Sequence, residues 1–350
     1  MTAGERRAVD AGTPLRQLPV RNPRTGQVDA HVPAWDEARL ASLAAGLRRA
    51  QPAWQALGAA GRARVLQAFA ADVAAAGAPI RDALATDTGR LRLAANEVQA
   101  LGGLVAGYAA LGGSLLPDAA ERASLTPGIA IRTQLVPYAL VGVISPWNFP
   151  LLLSLLDAIP ALMAGSAVIV KPSEVTPRFV APLMAAIARH PELAAVLAFV
   201  TGDGETGAAL VGQVDALCFT GSVATGRRVA EACARHFIPA FLELGGKDPA
   251  IVLPSADPDV AAGIVLRGSV QATGQACQSL ERVYVPAALA DAFLARLVAR
   301  AGAVALNYPD IRRGHIGPFI FARQAEIVAA QLADAVARGA KVLTGGTIEH

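Results

Sequence analysis

Cysteine is scarce in this sequence. Three residues, Cys218, Cys233 and Cys277, in a chain of 350 are an odd number and too few to staple a fold of this length, which excludes a disulfide framework and suits a reducing compartment. Charge is thin as well. Asp, Glu, Lys and Arg make up 17% of the residues against 53% apolar, so there is too much to bury and too little repulsion for an intrinsically disordered chain. Basic residues number 31 and acidic ones 28, a net charge of +3, and with no like-charge block this surplus offers no footprint for nucleic acid. The five histidines lack paired spacing and no CxxC occurs, which argues against a metal centre. GxSxG and GxxxxGK(S/T) are missing too. The first 20 residues mix charge and proline without a continuous apolar run, so no secretory signal is expected and the cytoplasm is the expected location. The longest apolar stretch, residues 149–170, contains Pro150, Asp157, Pro160 and Gly165 and reads as a buried helix followed by a strand, not as a membrane span.

What is there has a clear order. At roughly 150 residues per domain the length allows about two domains. Residues 36–112 are rich in Ala, Leu and Arg with apolar positions at helical spacing, such as Val65, Ala68, Phe69 and Val73, and are expected to be mostly helical. After a breaker-rich stretch, IAIRTQLVPYAL suggests extended ribbon. From Val141 onward VGVIS, AVIV, VLAFV, ALCF, AFLEL and AIVL alternate with helical runs, the pattern of a doubly wound parallel sheet. A second α/β unit begins near Gly246, with a helix capped at Asp257-Pro258, a strand RVYV, helices over 289–300 and 322–338, and a last strand AKVL over 340–343.

Several strand ends carry chemistry. Gly202, Gly204 and Gly207 form a literal GxGxxG between a strand and a helix, although no acidic residue ends the following strand, and a plain glycine turn accounts for it as well. VGVISPWNFP ends a strand at Trp147 and Asn148 immediately before a helix; the Asn offers an NH2 donor for an oxyanion or, equally, a helix cap. KPSE, residues 171–174, ends the next strand with a cation, a hydroxyl and a carboxylate. FTGSVATG, residues 219–226, begins a helix with small residues that could meet a phosphate. ELGGK, residues 243–247, places a carboxylate beside glycines that admit close backbone approach. In TGQACQS, Cys277 sits in a small polar neighbourhood, whereas Cys218 and Cys233 lie among apolar residues and read as core.

The ordered set VISPWNFP, KPSE, FTGS…G, ELGGK and GQxC resembles the NAD(P)-dependent aldehyde dehydrogenase family, over most of the chain from PRTGQV to GAKVLTGG. The resemblance implies an aldehyde-dehydrogenase-like α/β fold. A Rossmann-like, doubly wound dinucleotide-binding domain would span residues 1–115 and 138–245, an extended oligomerisation ribbon 116–137, and an incomplete α/β catalytic domain 246–350. It implies Cys277 as nucleophile, Glu243 as general base and Asn148 as oxyanion donor. Lys171, Ser173 and Glu174 would face the adenosine ribose, Gly204 and Gly207 the adenine, and Phe219, Gly221, Ser222 and Gly226 the pyrophosphate. Ile144, Ser145, Pro146 and Trp147 would line the nicotinamide side with Leu244 and Gly245, and Gln324 would touch a ribose. NAD is the expected cofactor, with NADP possible, because a carboxylate at Glu174 can accept both ribose hydroxyls and repels a 2′-phosphate.

The implied reaction is attack of the Cys277 thiolate on an aldehyde, hydride loss to the nicotinamide, and hydrolysis of the thioester by water that Glu243 deprotonates. That carboxylate favours the free acid over the product of a CoA-acylating or acyl-phosphate-reducing relative. A catalytically silent dinucleotide-binding or assembly protein of the same fold is the alternative from another class. Expected partners are a small-molecule aldehyde and further copies of the chain, as a homodimer or homotetramer, with no nucleic acid, membrane or metal. Leu152, Leu156 and Leu280 suggest an apolar entrance. Family members continue through a further strand–helix series and an ExFGP segment, so the 350-residue polypeptide is expected to be weakly active or inactive by itself.

Overall fold

The protein is described by a computed structural model that covers residues 14–115 and 121–349. The secretory-signal reading falls mostly, and the start of the expected ribbon wholly, outside those residues. The chain opens with an antiparallel pair, β1 (Gln17–Arg21) and β2 (Val28–Pro33), closed by a turn with Gly26 at φ 75°. Sequence patterning gives no warning of this hairpin, because Pro19 and Pro33 interrupt both strands; Leu18 and Val20 nevertheless alternate inward and are buried.

Four helices follow, as the periodicity requires: α1 (Glu37–Ala56), α2 (Gly58–Ala76), α3 (Ala78–Thr88) and α4 (Leu91–Leu115). Asp36 caps α1 by accepting from the Arg39 amide at 2.8 Å, and α3 stops at Gly89, whose φ of 65° an L side chain resists. Of the expected ribbon, the described strands are β3 (Glu121–Ala123) and β4 (Ala130–Arg132), antiparallel to each other. Residues 133–138 form no strand.

The remaining elements of the first unit are β5 (Leu140–Ile144), α5 (Pro150–Ala164), β6 (Ala167–Lys171), α6 (Val180–Ile187), the short α7 (Pro191–Ala194), β7 (Leu197–Phe199), α8 (Gly204–Val211), β8 (Ala216–Thr220), α9 (Val223–Arg235) and β9 (Ala240–Glu243). The five strands run parallel in the order β7-β6-β5-β8-β9. The chain therefore winds outward from β5 through β6 and β7, then returns to β5's other side with β8. This reversal leaves a crevice at the carboxyl ends of β5 and β8, where ligands bind in open α/β sheets. Every residue of β6 is buried, which is why AVIV reads as a continuous apolar run.

A second unit holds the parallel pair β10 (Asp248–Ile251) and β11 (Leu280–Tyr284), with α10 (Pro258–Val270) between them, then α11 (Ala287–Gly302) and α12 (Ala322–Ala337). Its fully buried apolar cluster is small: Val252, Ala262, Val265 and Phe293. The expected strand AKVL is not one. Residues 340–343 meet no neighbouring strand among the described residues, and extended backbone without a ladder is not a strand, whatever its propensity. No helix among the described residues is long and apolar enough to cross a membrane.

The helical layer grips α5. At its carboxyl end Gln51 Nε2 donates to the Gly165 carbonyl at 2.8 Å, Trp54 Nε1 to Leu162 at 2.9 Å and Arg62 Nε to Met163 at 2.9 Å, satisfying groups that a helix end otherwise leaves orphaned. Ile159, on the same helix, has no accessible surface. Ile159→Ala should lower the stability of the first unit by about 2–5 kcal/mol, read from the shift of its urea midpoint; an unchanged midpoint would mean that α5 is not the spine of this core.

Candidate active site

Four strand ends meet at the carboxyl edge of the sheet. β5 ends at Ile144 and runs into Ser145, Pro146, Trp147 and Asn148; β6 ends at Lys171, β8 at Thr220 and β9 at Glu243. Register locks these ends together: Ile144 pairs with Lys171 and Phe219, Thr220 with Glu243. The Gly221 amide donates to the Glu243 carbonyl at 3.0 Å and the Ser145 amide to Lys171 at 3.2 Å.

Asn148 is not a helix cap. The cap position of α5 belongs to Phe149 and carries no side-chain hydrogen bond; the first free amides, of Leu151 and Leu152, are instead taken by the buried carboxylate of Glu97 at 3.0 and 3.1 Å. The Asn148 side chain points across to the second unit, where Nδ2 donates to the Gln275 carbonyl at 2.9 Å. One of its two amide hydrogens is thereby used, and Oδ1 is buried without a partner among the described residues. Cys277 lies two residues on from Gln275 and is exposed. A Cβ on Gly246 would stand 3.4 Å from the Cys277 carbonyl oxygen, so the ELGGK glycines let the cysteine loop close on the end of β9.

Glu243 is exposed at that end. Asp157, half-buried on α5, is held above the usual carboxylate range first by burial and then by the charge of Glu243, which places it within Glu243's field. Burial, then Asp157, pushes the Cys218 thiol up to about 12; Cys233 is buried on α9 and shifted upward by burial. Of the three thiols, Cys277 alone is exposed.

The expected cofactor side is built mostly from backbone. Lys171, 4% exposed, sends its ammonium to Glu174 Oε2 and to the Asp203 carbonyl, each at 3.3 Å, and burial lowers its pKa. Gly204 faces open space, and Gly207 backs onto Ile144 and Lys171. Ser222 caps α9 by accepting from the Thr225 amide at 3.2 Å. Gly226 admits Leu244, whose Cδ2 would come within 2.5 Å of an added Cβ, and Gly245 has none within reach. Two hydroxyls are occupied elsewhere: Ser145 Oγ bonds Ser154 Oγ at 2.6 Å, and Ser173 Oγ accepts from the Val175 amide at 3.2 Å. Gln324 lies one turn along α12 from Phe321, whose ring packs 6.3 Å from that of Trp147. Of the apolar-entrance residues, Leu156 is 39% exposed on α5, while Leu280 packs against Gly268 of α10.

These comparisons decide the family. A family model described as "Aldehyde dehydrogenase family" matches residues 9–350. The chain belongs to the aldehyde dehydrogenase family. Among relatives, a Mycolicibacterium smegmatis protein provisionally named succinate-semialdehyde dehydrogenase (NADP+) is 37% identical over 335 residues, 94% of this chain, and a betaine aldehyde dehydrogenase of Rhizobium leguminosarum is 33% identical over 343 residues, 94% of this chain. This chain spans 64% of the first protein's length and 68% of the second's. A solved structure of a provisionally named aldehyde dehydrogenase, PutA of Anabaena variabilis, superimposes with TM-score 0.92 at 48% identity, covering 96% of this chain and 71% of that one. The doubly wound aldehyde dehydrogenase architecture read from the sequence is therefore the architecture of this protein.

Sequence reasoning passed over three buried polar residues beside the site: Arg90, Glu97 and Gln275. Two of them carried a signal, since Arg90 and Glu97 are seven residues apart on the apolar stripe that also holds Ala94, Val98 and Leu101. A cavity of about 600 Å³ is lined by Arg90, Arg92, Arg267 and Thr273 among others; Cys277, Glu243 and Asn148 do not line it.

Two outcomes follow from these environments. Iodoacetamide should alkylate Cys277 on the folded protein while Cys218 and Cys233 react only after denaturation, followed by peptide mass spectrometry; equal labelling of all three would contradict the burial pattern. Burial pushes Glu97 up to about 7 from an ordinary 4.5, against the opposing pull of the Leu152 amide, Arg90 and the Leu151 amide. Between those values the folded chain keeps a proton that the unfolded chain has released, so stability falls as pH rises from about 4.5 through about 7. Glu97→Gln should flatten that fall, on the order of 3 kcal/mol at about 1.4 kcal/mol per pH unit of separation, in urea midpoints measured across the interval.

Proposed function

We propose that this chain carries the catalytic machinery for NAD(P)-dependent oxidation of an aldehyde to its carboxylic acid. The observation that carries the reading is the bond from Asn148 Nδ2 to the Gln275 carbonyl at 2.9 Å, which seats a carboxamide donor beside the loop of an exposed cysteine, at the sheet edge where Glu243 ends β9. The relatives' names point to different aldehydes, so the proposed substrate class is the aldehyde itself. We assign the dinucleotide-binding unit to residues 1–115 and 138–245 and the catalytic unit to residue 246 onward.

The crevice fits a dinucleotide. The Lys171 ammonium has three hydrogens and two partners among the described residues, both long at 3.3 Å, leaving a donor for a ribose hydroxyl. Glu174 beside it would accept from the same ribose and disfavour a 2′-phosphate. Gly204, Gly207, Phe219, Gly221 and Ser222 offer small side chains or backbone along the strand ends, and Ile144, Pro146, Trp147, Leu244 and Gly245 a mainly apolar wall. A relative in the same family, PnpE, was solved in complex with nicotinamide adenine dinucleotide and superimposes with TM-score 0.86 at 30% identity. When bound, the nicotinamide supplies the hydride acceptor.

The chain's own groups do the rest. Cys277 Sγ attacks the carbonyl carbon, and the carbonyl oxygen gathers negative charge that the free Asn148 Nδ2 hydrogen and the Cys277 amide can hold. Covalent attachment makes the carbon tetrahedral, the state from which hydride can leave and a thioester result. Glu243 then takes a proton from water, the hydroxide opens the thioester to the acid, and the thiolate is released.

Cys277→Ala should abolish reduction of NAD(P) by aldehydes. Glu243→Gln should keep a first burst of reduced dinucleotide but stall in the steady state, and Asn148→Ala should lower kcat on the order of 100- to 1,000-fold. Stopped-flow absorbance of the reduced nicotinamide reads all three. Wild-type steady-state turnover in the Glu243 variant would remove the base from the scheme, and a Cys277→Ala variant that still reduces NAD(P) with aldehydes as the unaltered chain does would remove the scheme.

A further inference from the structure

The geometry points to Arg90 as a positioning residue that holds the oxyanion donor and the nucleophile loop in register; this rests on the reading of the site given above. Arg90 stands at the start of α4, 4% exposed, with its guanidinium carbon 5.3 Å from the centroid of the Phe149 ring. One arm, Nη2, donates to the carbonyl of Asn148, and the other, Nη1, donates to the carbonyl of Ala272 at 3.2 Å. The same Ala272 carbonyl accepts from the Gln275 amide and from Gln275 Nε2, both at 3.2 Å. The Gln275 carbonyl in turn accepts from Asn148 Nδ2 at 2.9 Å. The circuit is closed: Arg90 to the Asn148 backbone, through the Asn148 side chain to Gln275, on to Ala272, and back to Arg90.

Two facts say why a guanidinium is needed there. The cysteine loop contains Ala272 at φ 56° and Thr273 at φ 62°, left-handed positions that residues with a Cβ occupy reluctantly, so the loop keeps its shape only while its neighbours over-determine it. The two carbonyls belong to different units of the protein, and a planar fork with two outward arms can bridge them, whereas an ammonium is a single point. Arg90 itself is fixed from both sides. Preceding it, the Gly89 carbonyl accepts from Asn307 Nδ2 at 2.7 Å; two turns on, Glu97 provides the opposite charge and ties down the first turn of α5 behind Asn148. The side-chain hydrogen bonds of Arg90 among the described residues go to Asn148 and Ala272, so its influence on the reaction passes through Asn148 and the loop.

A double-mutant cycle with Asn148→Ala separates this role from general support of the fold. Arg90→Lys keeps the charge and loses the bridge; Arg90→Gln, which keeps a donor for one carbonyl, is run beside it in case the lysine variant fails to fold. In the wild-type background either variant should lower kcat by about 10- to 100-fold, while the dissociation constant for reduced dinucleotide, followed by fluorescence, changes less than about twofold. In the Asn148→Ala background the same substitution should lower kcat less than about twofold further. Hydrogen exchange should rise in peptides covering 145–149 and 271–279 together. Equal losses in both backgrounds, wild-type kcat, or unchanged exchange in both peptides would overturn the assignment. A Cys277→Ala variant that oxidises aldehydes as the unaltered chain does overturns the proposed function instead, and the exchange measurement still decides for or against Arg90.

Discussion

Parallel strands leave their sheet by the same edge, and the rest of this molecule follows from that constraint. Each crossover helix must carry the chain back before the next strand can start, so every strand–helix turn from β5 to β9 opens on one side. The strands themselves are apolar and β6 is wholly buried, which leaves the polar residues of the unit to collect in those turns. Lys171, Asn148, Ser222 and Glu243 come together because they are the first residues after, or the last residues of, neighbouring strands. The reversal of winding at β5 parts the two helices that would otherwise cover the edge, and the second unit enters that gap with the cysteine loop.

A site assembled from turns needs something stiffer than turns to hold it. That stiffness comes from α5, the helix that begins two residues after Asn148, and both of its ends are satisfied by side chains of the amino-terminal helices. Gln51, Trp54 and Arg62 take the last carbonyls, Glu97 the first free amides. Burial works against this carboxylate, pushing it up to about 7, so the same group that fastens the helix also makes the fold sensitive to pH. The helical layer, which looks in the sequence like mere cover for a sheet, is the clamp on the helix that follows Asn148.

The elements that sequence reading found are those whose signal is local. Strand, turn and helix follow one another within ten or fifteen residues, so VGVISPWNFP or KPSE announces both a place in the fold and a set of polar groups. Arg90, Glu97 and Gln275 are harder to read for the opposite reason: their partners are backbone groups 58 and 182 residues away for the first, 54 for the second, and 3, 43 and 45 for the third, and backbone groups leave no residue type in the sequence to match. AKVL failed differently. Its composition suits a strand, but a strand is a relation between two segments, and propensity describes only one. Asn148 shows a third case: composition leaves a helix cap and an oxyanion donor open, and the position of Glu97 against α5 removes the cap.

Like groups are given unlike environments around the end of β9, and under the proposed mechanism this division singles out one of each kind. Asp157 and Glu243 are both carboxyls within each other's field; burial, then the charge of Glu243, holds Asp157 above the usual carboxylate range, while the exposed strand end keeps Glu243 in reach of water. Cys218, one strand over, is held as a thiol up to about 12 by burial and by the same Asp157, which removes it from competition with Cys277 on its exposed loop. Pairs of titratable groups pushed apart by their surroundings are how a fold separates a working group from a structural one. Here that separation is imposed by α5, because Asp157 faces the end of β9 from the same helix whose first turn follows Asn148.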